Sequence, residues 1–226
     1  MPMAKIDPVA DVTPTGSEAS GIEPEPAVAN KLFGGQIDVA RQFTRDLAAD
    51  GERLGLIGPV EIGRLWSRHV INCVLMAPLL KPGRVGDIGS GAGLPGLVLA
   101  IARPDVQMIL IEPMERRVDW LSGEVHRLGL GNVEVVRARA EEVKLTPWLD
   151  QVTARAVSSL SKLIPLTVPL VRSGGELIFL KGAGVRAEVD AADKVMRRFR
   201  LSDIEVLLLG EGVVDETTHV FRATVD

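Results

Sequence analysis

The run Asp87-Ile88-Gly89-Ser90-Gly91-Ala92-Gly93-Leu94-Pro95-Gly96 constrains this chain more than any other feature. A short apolar run, Arg84–Ile88, leads into it, and Gly96–Ala102 leads out. The first reads as a strand and the second as a helix that Pro104 ends. Strand, tight loop and helix open an α/β sheet, and such sheets bind ligands beyond the carboxyl ends of their strands. Glycines carry no Cβ, so backbone here can approach a bound nucleoside closely and adopt positive φ. Glu112 stands 23 residues after Gly89, at the end of the next apolar run. A carboxylate at that place can accept hydrogen bonds from ribose hydroxyls.

The alternation continues downstream. Gln107–Glu112, Asn132–Arg137 and Gln151–Arg155 read as strands, and Met114–Leu128 as a helix closed by Gly129. Ser161–Val171 reads as a helix interrupted by prolines, and Ser173-Gly174-Gly175 as a turn into the strand Glu176–Leu180. Val185–Phe199 reads as a helix. Leu201–Leu209 and Thr218–Thr224 follow with no helix between them, as a hairpin adding one antiparallel strand. This predicts an α/β fold with a mainly parallel sheet covered on both faces. Upstream, Phe33, Ile37, Ala40 and Leu47 recur at helical spacing before Asp50-Gly51, and Gly58-Pro59 opens a second helix that runs to about Leu80. Residues 1–30 hold five prolines and no leucine or aromatic residue, which reads as a disordered acidic tail. The chain thus divides into a tail (1–30), a helical extension (31–80) and an α/β domain (81–226).

Charge narrows the partners. The formal net charge is −4, but residues 1–30 contain one lysine and five acids, which leaves 25 basic and 25 acidic residues in the body. A neutral body can still carry a basic face, so RNA stays open as a partner while a non-specific grip on polyanions does not. The longest uncharged stretch, Ile88–Ala102, is shorter than the ~20 apolar residues of a membrane span. One cysteine, Cys73, and no Cys/His cluster exclude an internal disulfide and a structural zinc site. No signal peptide opens the chain, so the expected location is the cytoplasm, with no membrane and no metal.

Two cofactor readings compete. Gly91-Ala92-Gly93-Leu94-Pro95-Gly96 matches the dinucleotide pattern G-x-G-x-x-G. Read from Asp87, the loop is instead acid-x-G-x-G-x-G, as in enzymes that use S-adenosylmethionine (SAM). Asp87 could attract the cationic methionine end of SAM and would repel a pyrophosphate. The terminal hairpin also suits a SAM enzyme, and the length leaves no room for a separate substrate domain. After the third strand, Arg139-Ala140-Glu141-Glu142 could hold an adenine edge through a backbone N–H and a carboxylate. A nicotinamide-dependent oxidoreductase and a SAM-dependent methyltransferase acting on a small molecule or protein stay open beside an RNA enzyme.

Four motifs in order carry a family resemblance: Arg68-His69-Val70-Ile71-Asn72-Cys73, the loop Asp87–Gly96 with its Leu94-Pro95-Gly96 ending, Ala154-Arg155-Ala156, and Leu180-Lys181-Gly182. From about Gly58 onward the chain resembles the bacterial glucose-inhibited division protein B family, the small-subunit rRNA methyltransferase G enzymes. It departs from that family's usual pattern at Asn72-Cys73 and at Ala154. The resemblance implies a three-layer class I SAM-dependent methyltransferase fold with a seven-stranded, mainly parallel sheet and a short N-terminal helical extension. It implies methyl transfer from SAM to N7 of one guanine of 16S rRNA in the 30S particle, by a monomer. By position, Gly89, Leu94, Ala140, Glu141 and Arg155 would contact SAM, beside the Asp87, Gly91 and Glu112 already read from the loop.

Guanine N7 has a free lone pair, so the reaction needs alignment and no general base. Arg155 and Lys181 are the residues expected at the reacting centre, Arg155 orienting the base or the methionine carboxylate. Arg68, His69 and Lys181 are expected to touch RNA, with Arg186 extending the basic face. Cys73 reads as buried packing, and His126 and His219 stand in no motif.

Overall fold

The computed structural model describes residues 21–226. Its elements are α1 (Ala29–Phe33), α2 (Ile37–Asp50), α3 (Asn72–Val74), β1 (Gly83–Ile88), α4 (Gly96–Ala102), β2 (Val106–Ile111) and α5 (Glu115–Arg127). Then come β3 (Val133–Val136), β4 (Leu149–Arg155), α6 (Leu160–Thr167), β5 (Val171–Lys181), α7 (Val185–Arg198), β6 (Leu201–Leu209) and β7 (Thr218–Val225). The seven strands make one sheet in the order β3-β2-β1-β4-β5-β7-β6. β1 pairs in parallel with both β2 and β4, and β7 runs antiparallel between β5 and β6. The chain therefore reverses its direction of winding between β1 and β4, and a crevice opens beyond their carboxyl ends.

Burial explains the strand sequences. Met108–Ile111 of β2 and Val152–Ala154 of β4 are buried throughout, as strands covered on both faces must be. One core lies between the sheet and α2, α4, α5 and the stretch 65–80. The other lies beneath α6 and α7, with Phe179 and Phe221 stacked at 5.9 Å between ring centroids. These are the three layers.

Three features differ from the sequence reading. The helix expected from Gly58 to Leu80 is a run of unlike turns: 3₁₀ over Pro59–Arg64, π over Leu65–Ile71, then α3 and a 3₁₀ turn over Ala77–Leu79. The expected turn at Ser173-Gly174-Gly175 is a bulge inside β5, where the pairing jumps from Leu149↔Val171 to Gln151↔Glu176. The tail read over 1–30 is not uniform. Residues 1–20 lie outside the described residues, but the segment that follows is tied down by charge-assisted bonds. Glu23 accepts from the Ser67 backbone N–H (2.7 Å) and hydroxyl (3.0 Å), and Glu25 accepts two bonds from Arg41 (2.6 and 2.8 Å). Glu23 and Glu25, inside the stretch read as a disordered acidic tail, thus anchor the entry to α1. Among the described residues, no helix is long and apolar enough to cross a membrane.

Candidate active site

Beyond the carboxyl ends of β1 and β4 lies a cleft of about 390 Å³. Its floor is the glycine loop from Gly89 to Leu94, and its roof comes from Leu56, Ile57 and the π turn. The loop's glycines do different jobs. Gly89 (φ +70°) and Gly91 (φ +55°) line the cleft in the left-handed region that favours glycine. Gly93 and Gly96 serve packing. A Cβ on Gly93 would run into Leu97, and one on Gly96 would meet the Leu110 side chain and the Asp87 carboxylate.

The two acids of the loop are turned to the backbone. Asp87 is wholly buried, and its Oδ2 accepts from the Gly96 N–H (3.1 Å) at the start of α4. Burial pushes its carboxyl up to about 7, against the opposing influence of the Ser90 hydroxyl and the Gly96 N–H, and Glu112 adds to the rise. Its Oδ1 has no hydrogen-bond partner among the described residues. Asp87 thus stands behind the loop and not in the cleft, where the sequence reading had put it. β1 is covered on both faces, so this side chain has an interior to face and no opening. Glu112 accepts from the N–H groups of Gly91 and Met114 (3.0 Å each), tying the loop to the end of β2. Ala140 and Glu141 sit in a turn after β3 and do not line the cleft; Ala140 leans on the second core and Glu141 is exposed.

A second, wider groove of about 980 Å³ adjoins the first. Arg68, Arg155 and Ala156 line both. Ala156 holds a positive φ of 54°, a conformation costly for a residue with a Cβ and typical of functional loops. Lys181 lines the groove but is already engaged. Its Nζ donates to the Ser158 carbonyl (2.8 Å) and pairs with Glu188 (2.7 Å), which also accepts from the Leu160 N–H (3.0 Å). The groove's far wall is the β6–β7 loop with His219, joined to the helical extension by an Arg64–Glu216 ion pair. Arg186 is exposed on α7 and lines neither cavity.

Between the cavities runs a chain of polar contacts. Arg155 Nη2 donates to His69 Nδ1 (2.5 Å), and Nη1 donates to the buried Cys73 Sγ (3.4 Å). His69 Nε2 meets Glu61 Oε2 at 2.8 Å, and Arg68 Nε lies 3.1 Å from that same oxygen. Burial first, and Arg155 second, push the imidazole down to about 4, so it is neutral at physiological pH. A neutral ring that accepts at Nδ1 must carry its proton on Nε2, and Glu61 is the acceptor waiting there. His69 is thus placed as a buried neutral link and not as a cation open to RNA. Glu61 and Arg117, which also lines the cleft, were not singled out by sequence. Glu61 gave no signal, because its partners lie seven and eight residues ahead across a change of helical pitch.

The comparisons with known proteins agree with this architecture. Residues 36–214 match the family model described as rRNA small subunit methyltransferase G. A ribosomal RNA small subunit methyltransferase G of Clavibacter michiganensis subsp. michiganensis is 68% identical over 204 residues, covering 90% of this chain and 97% of that one. Its counterpart in Leifsonia xyli subsp. xyli is 62% identical over 204 residues, covering 90% and 98%. Among solved structures, M. jannaschii TYW2 in complex with AdoMet superposes with a TM-score of 0.54 at 19% identity, covering 71% of this chain and 76% of that one. Aquifex aeolicus tRNA (m1A58) methyltransferase TrmI does so with 0.53 at 14% identity, covering 70% and 68%. These two likenesses concern the fold.

Proposed function

This chain belongs to the rRNA small subunit methyltransferase G family, and on that premise we propose how its two joined cavities divide the work. The protein is a SAM-dependent methyltransferase acting on 16S rRNA, and our reading takes guanine N7 as the accepting atom. One observation carries the division: the glycine-floored cleft and the wider groove share a wall made of Arg68, Arg155 and Ala156. A cofactor in the first and a base in the second would meet across that wall.

The cleft suits the cofactor. Its volume, about 390 Å³, falls in the range of small-molecule sites. Gly89 and Gly91 leave the floor without side chains, and Leu94 closes one side. Among the described residues Arg155 has no carboxylate within ion-pair distance, which leaves its charge for an anionic group. In our reading Gly89, Gly91 and Leu94 hold SAM by backbone and contact, and Arg155 takes its carboxylate or orients the base. Glu112 would serve ribose hydroxyls by releasing the Gly91 N–H. Ala140 and Glu141 would reach the adenine edge by closure of their turn, and Asp87 acts only through the loop above it. SAM supplies an activated methyl group for in-line displacement.

The residues then have one task, to align the accepting nitrogen and keep it aligned. Orientation of this kind can supply roughly 7–11 kcal/mol of barrier lowering. No general base is assigned. Arg68 is the exposed cation of the wall and would meet RNA phosphate. Lys181, committed to Glu188 and Ser158, shapes the groove that receives the base. We extend the reading to a monomer in the cytoplasm acting on the 30S particle, with 31–80 as a helical extension and 81–226 as the methyltransferase domain.

The test is methyl transfer from labelled SAM to 30S particles from a strain lacking this protein, with particles from the parent strain as control. Label confined to the former, and mapped to guanine N7, is the expected result. SAM binding without transfer to either particle would move the substrate elsewhere.

A further inference from the structure

We infer that Glu61 and His69 are positioning residues for methyl transfer: His69, set by Glu61, holds the Arg155 guanidinium in the wall between the cofactor cleft and the base groove. The inference rests on the reading of Arg155 as a residue at the reacting centre.

The geometry sets the roles. Arg155 ends β4, and its long side chain must cross to the helical extension to find a partner. It finds two there, Cys73 Sγ and His69 Nδ1, and neither is an anion at neutral pH. A carboxylate at this place would hold Arg155 more strongly but would cancel its charge. A neutral imidazole fixes the guanidinium and leaves that charge in force. That function requires Nδ1 to be bare, and a bare Nδ1 requires the proton on Nε2. Glu61 Oε2, 2.8 Å from Nε2, enforces this. The π turn over Leu65–Ile71 is what lets the consecutive residues Arg68 and His69 reach one carboxylate oxygen from the preceding 3₁₀ turn. Wide turns of this kind are rare and concentrate at functional sites. The low basicity of the buried ring agrees with the arrangement, since a protonated Nδ1 would face the guanidinium.

A double-mutant cycle separates positioning from packing. Turnover on 30S particles and SAM affinity by calorimetry are measured for the wild type, His69→Phe, Arg155→Ala and the double variant. Loss of alignment through Arg155 should cost His69→Phe about tenfold to a hundredfold in turnover in the wild-type background and little in the Arg155→Ala background. An equal loss in both backgrounds would make His69 a packing residue and overturn the inference. Full activity in Arg155→Ala alone would instead overturn the reading on which the inference rests. His69→Asn, which keeps an acceptor near the place of Nδ1, should recover more of the rate than His69→Gln; the reverse order counts against the proposal.

Should His69→Phe fail to fold, Glu61→Gln keeps the matter open to refutation. An amide can donate as well as accept, so nitrogen-15 NMR of the imidazole should show the Nδ1–H tautomer appearing beside the Nε2–H form, with a turnover loss of about threefold to tenfold. An unchanged tautomer at unchanged turnover would remove Glu61 from the proposal.

Discussion

Replacing Asp87 by asparagine should make the protein relatively more stable as pH rises, although it removes an acid from the most distinctive motif. Asp87 is buried, accepts from the Gly96 backbone N–H and, among the described residues, finds no partner for Oδ1. Its carboxyl is pushed from the ordinary 3.8 up to about 7, chiefly by burial. The sign follows from linkage. Below about pH 4 the group is protonated in both states and contributes nothing to pH dependence. Between about 4 and 7 the unfolded chain gives up the proton and the folded chain keeps it, so stability falls as pH rises. Above about 7 both are ionised and the penalty is constant. One pH unit of displacement corresponds to about 1.4 kcal/mol, so the penalty is about 2 kcal/mol at pH 5 and about 4 kcal/mol at pH 8.

Asparagine keeps an oxygen for the Gly96 N–H and carries no charge. The stability difference between Asp87→Asn and the wild type should therefore move in the variant's favour by about 2–3 kcal/mol from pH 5 to pH 8. Other titrating groups, such as the buried Glu124, are present in both proteins and drop out of the difference. Urea unfolding at the two pH values measures it, and with a typical slope of about 2 kcal/mol/M the relative midpoint should move by more than about 1 M. A difference that does not change with pH would refute the argument and show that Asp87 is ionised in the fold across this range. SAM affinity of the variant should stay within about threefold, because Asp87 faces the back of the loop.

Gly93→Ala should destabilise the protein by about 2–4 kcal/mol, since φ is +94° and a Cβ would strike Leu97. Gly91→Ala, whose Cβ would meet the Gly89 carbonyl (3.7 Å) and Arg117 (4.0 Å) only at ordinary contact and whose φ is +55°, should cost about 1–2 kcal/mol, chiefly by strain; thermal melts that rank the two the other way would contradict the packing account. Lys181→Met should cost about 1–2 kcal/mol by stranding a half-buried Glu188, and a second change, Glu188→Gln, should restore part of it in chemical unfolding. The turnover rate at saturating SAM should be nearly flat from about pH 7.5 to 9, and a rise with a slope of one proton would show that a base is needed.

What the sequence could disclose depended on how local the signal was. β1, the glycine loop and α4 are neighbours in the chain, so composition alone placed them and pointed to the crevice beyond β1. The antiparallel β6–β7 pair was legible because no helix-length segment separates its strands. The direction of the loop's acids was not legible. Whether Asp87 faces ligand or interior depends on what covers β1, which α4 and the distant extension decide. Glu23 and Glu25 were misjudged for the same reason: their partners, Ser67 and Arg41, are 44 and 16 residues away. The bulge in β5 escaped because three turn-forming residues inside a strand look like the strand's beginning.

The charges around the shared wall show a common logic. Arg68 is balanced by Glu61, Lys181 by Glu188 and Arg64 by Glu216. Arg155 stands beside a neutral imidazole and a thiol that burial keeps protonated. Methyl transfer to a ring nitrogen moves positive charge from the cofactor into the base. Unbalanced cations along that path would raise the barrier, and neutralising them pair by pair lowers it electrostatically. The exception, Arg155, lies where both cavities meet, and a half-buried cation with no anion among the described residues is costly unless a ligand completes it. On the function proposed above, the anion that completes it is the cofactor's carboxylate or the phosphate of the entering nucleotide.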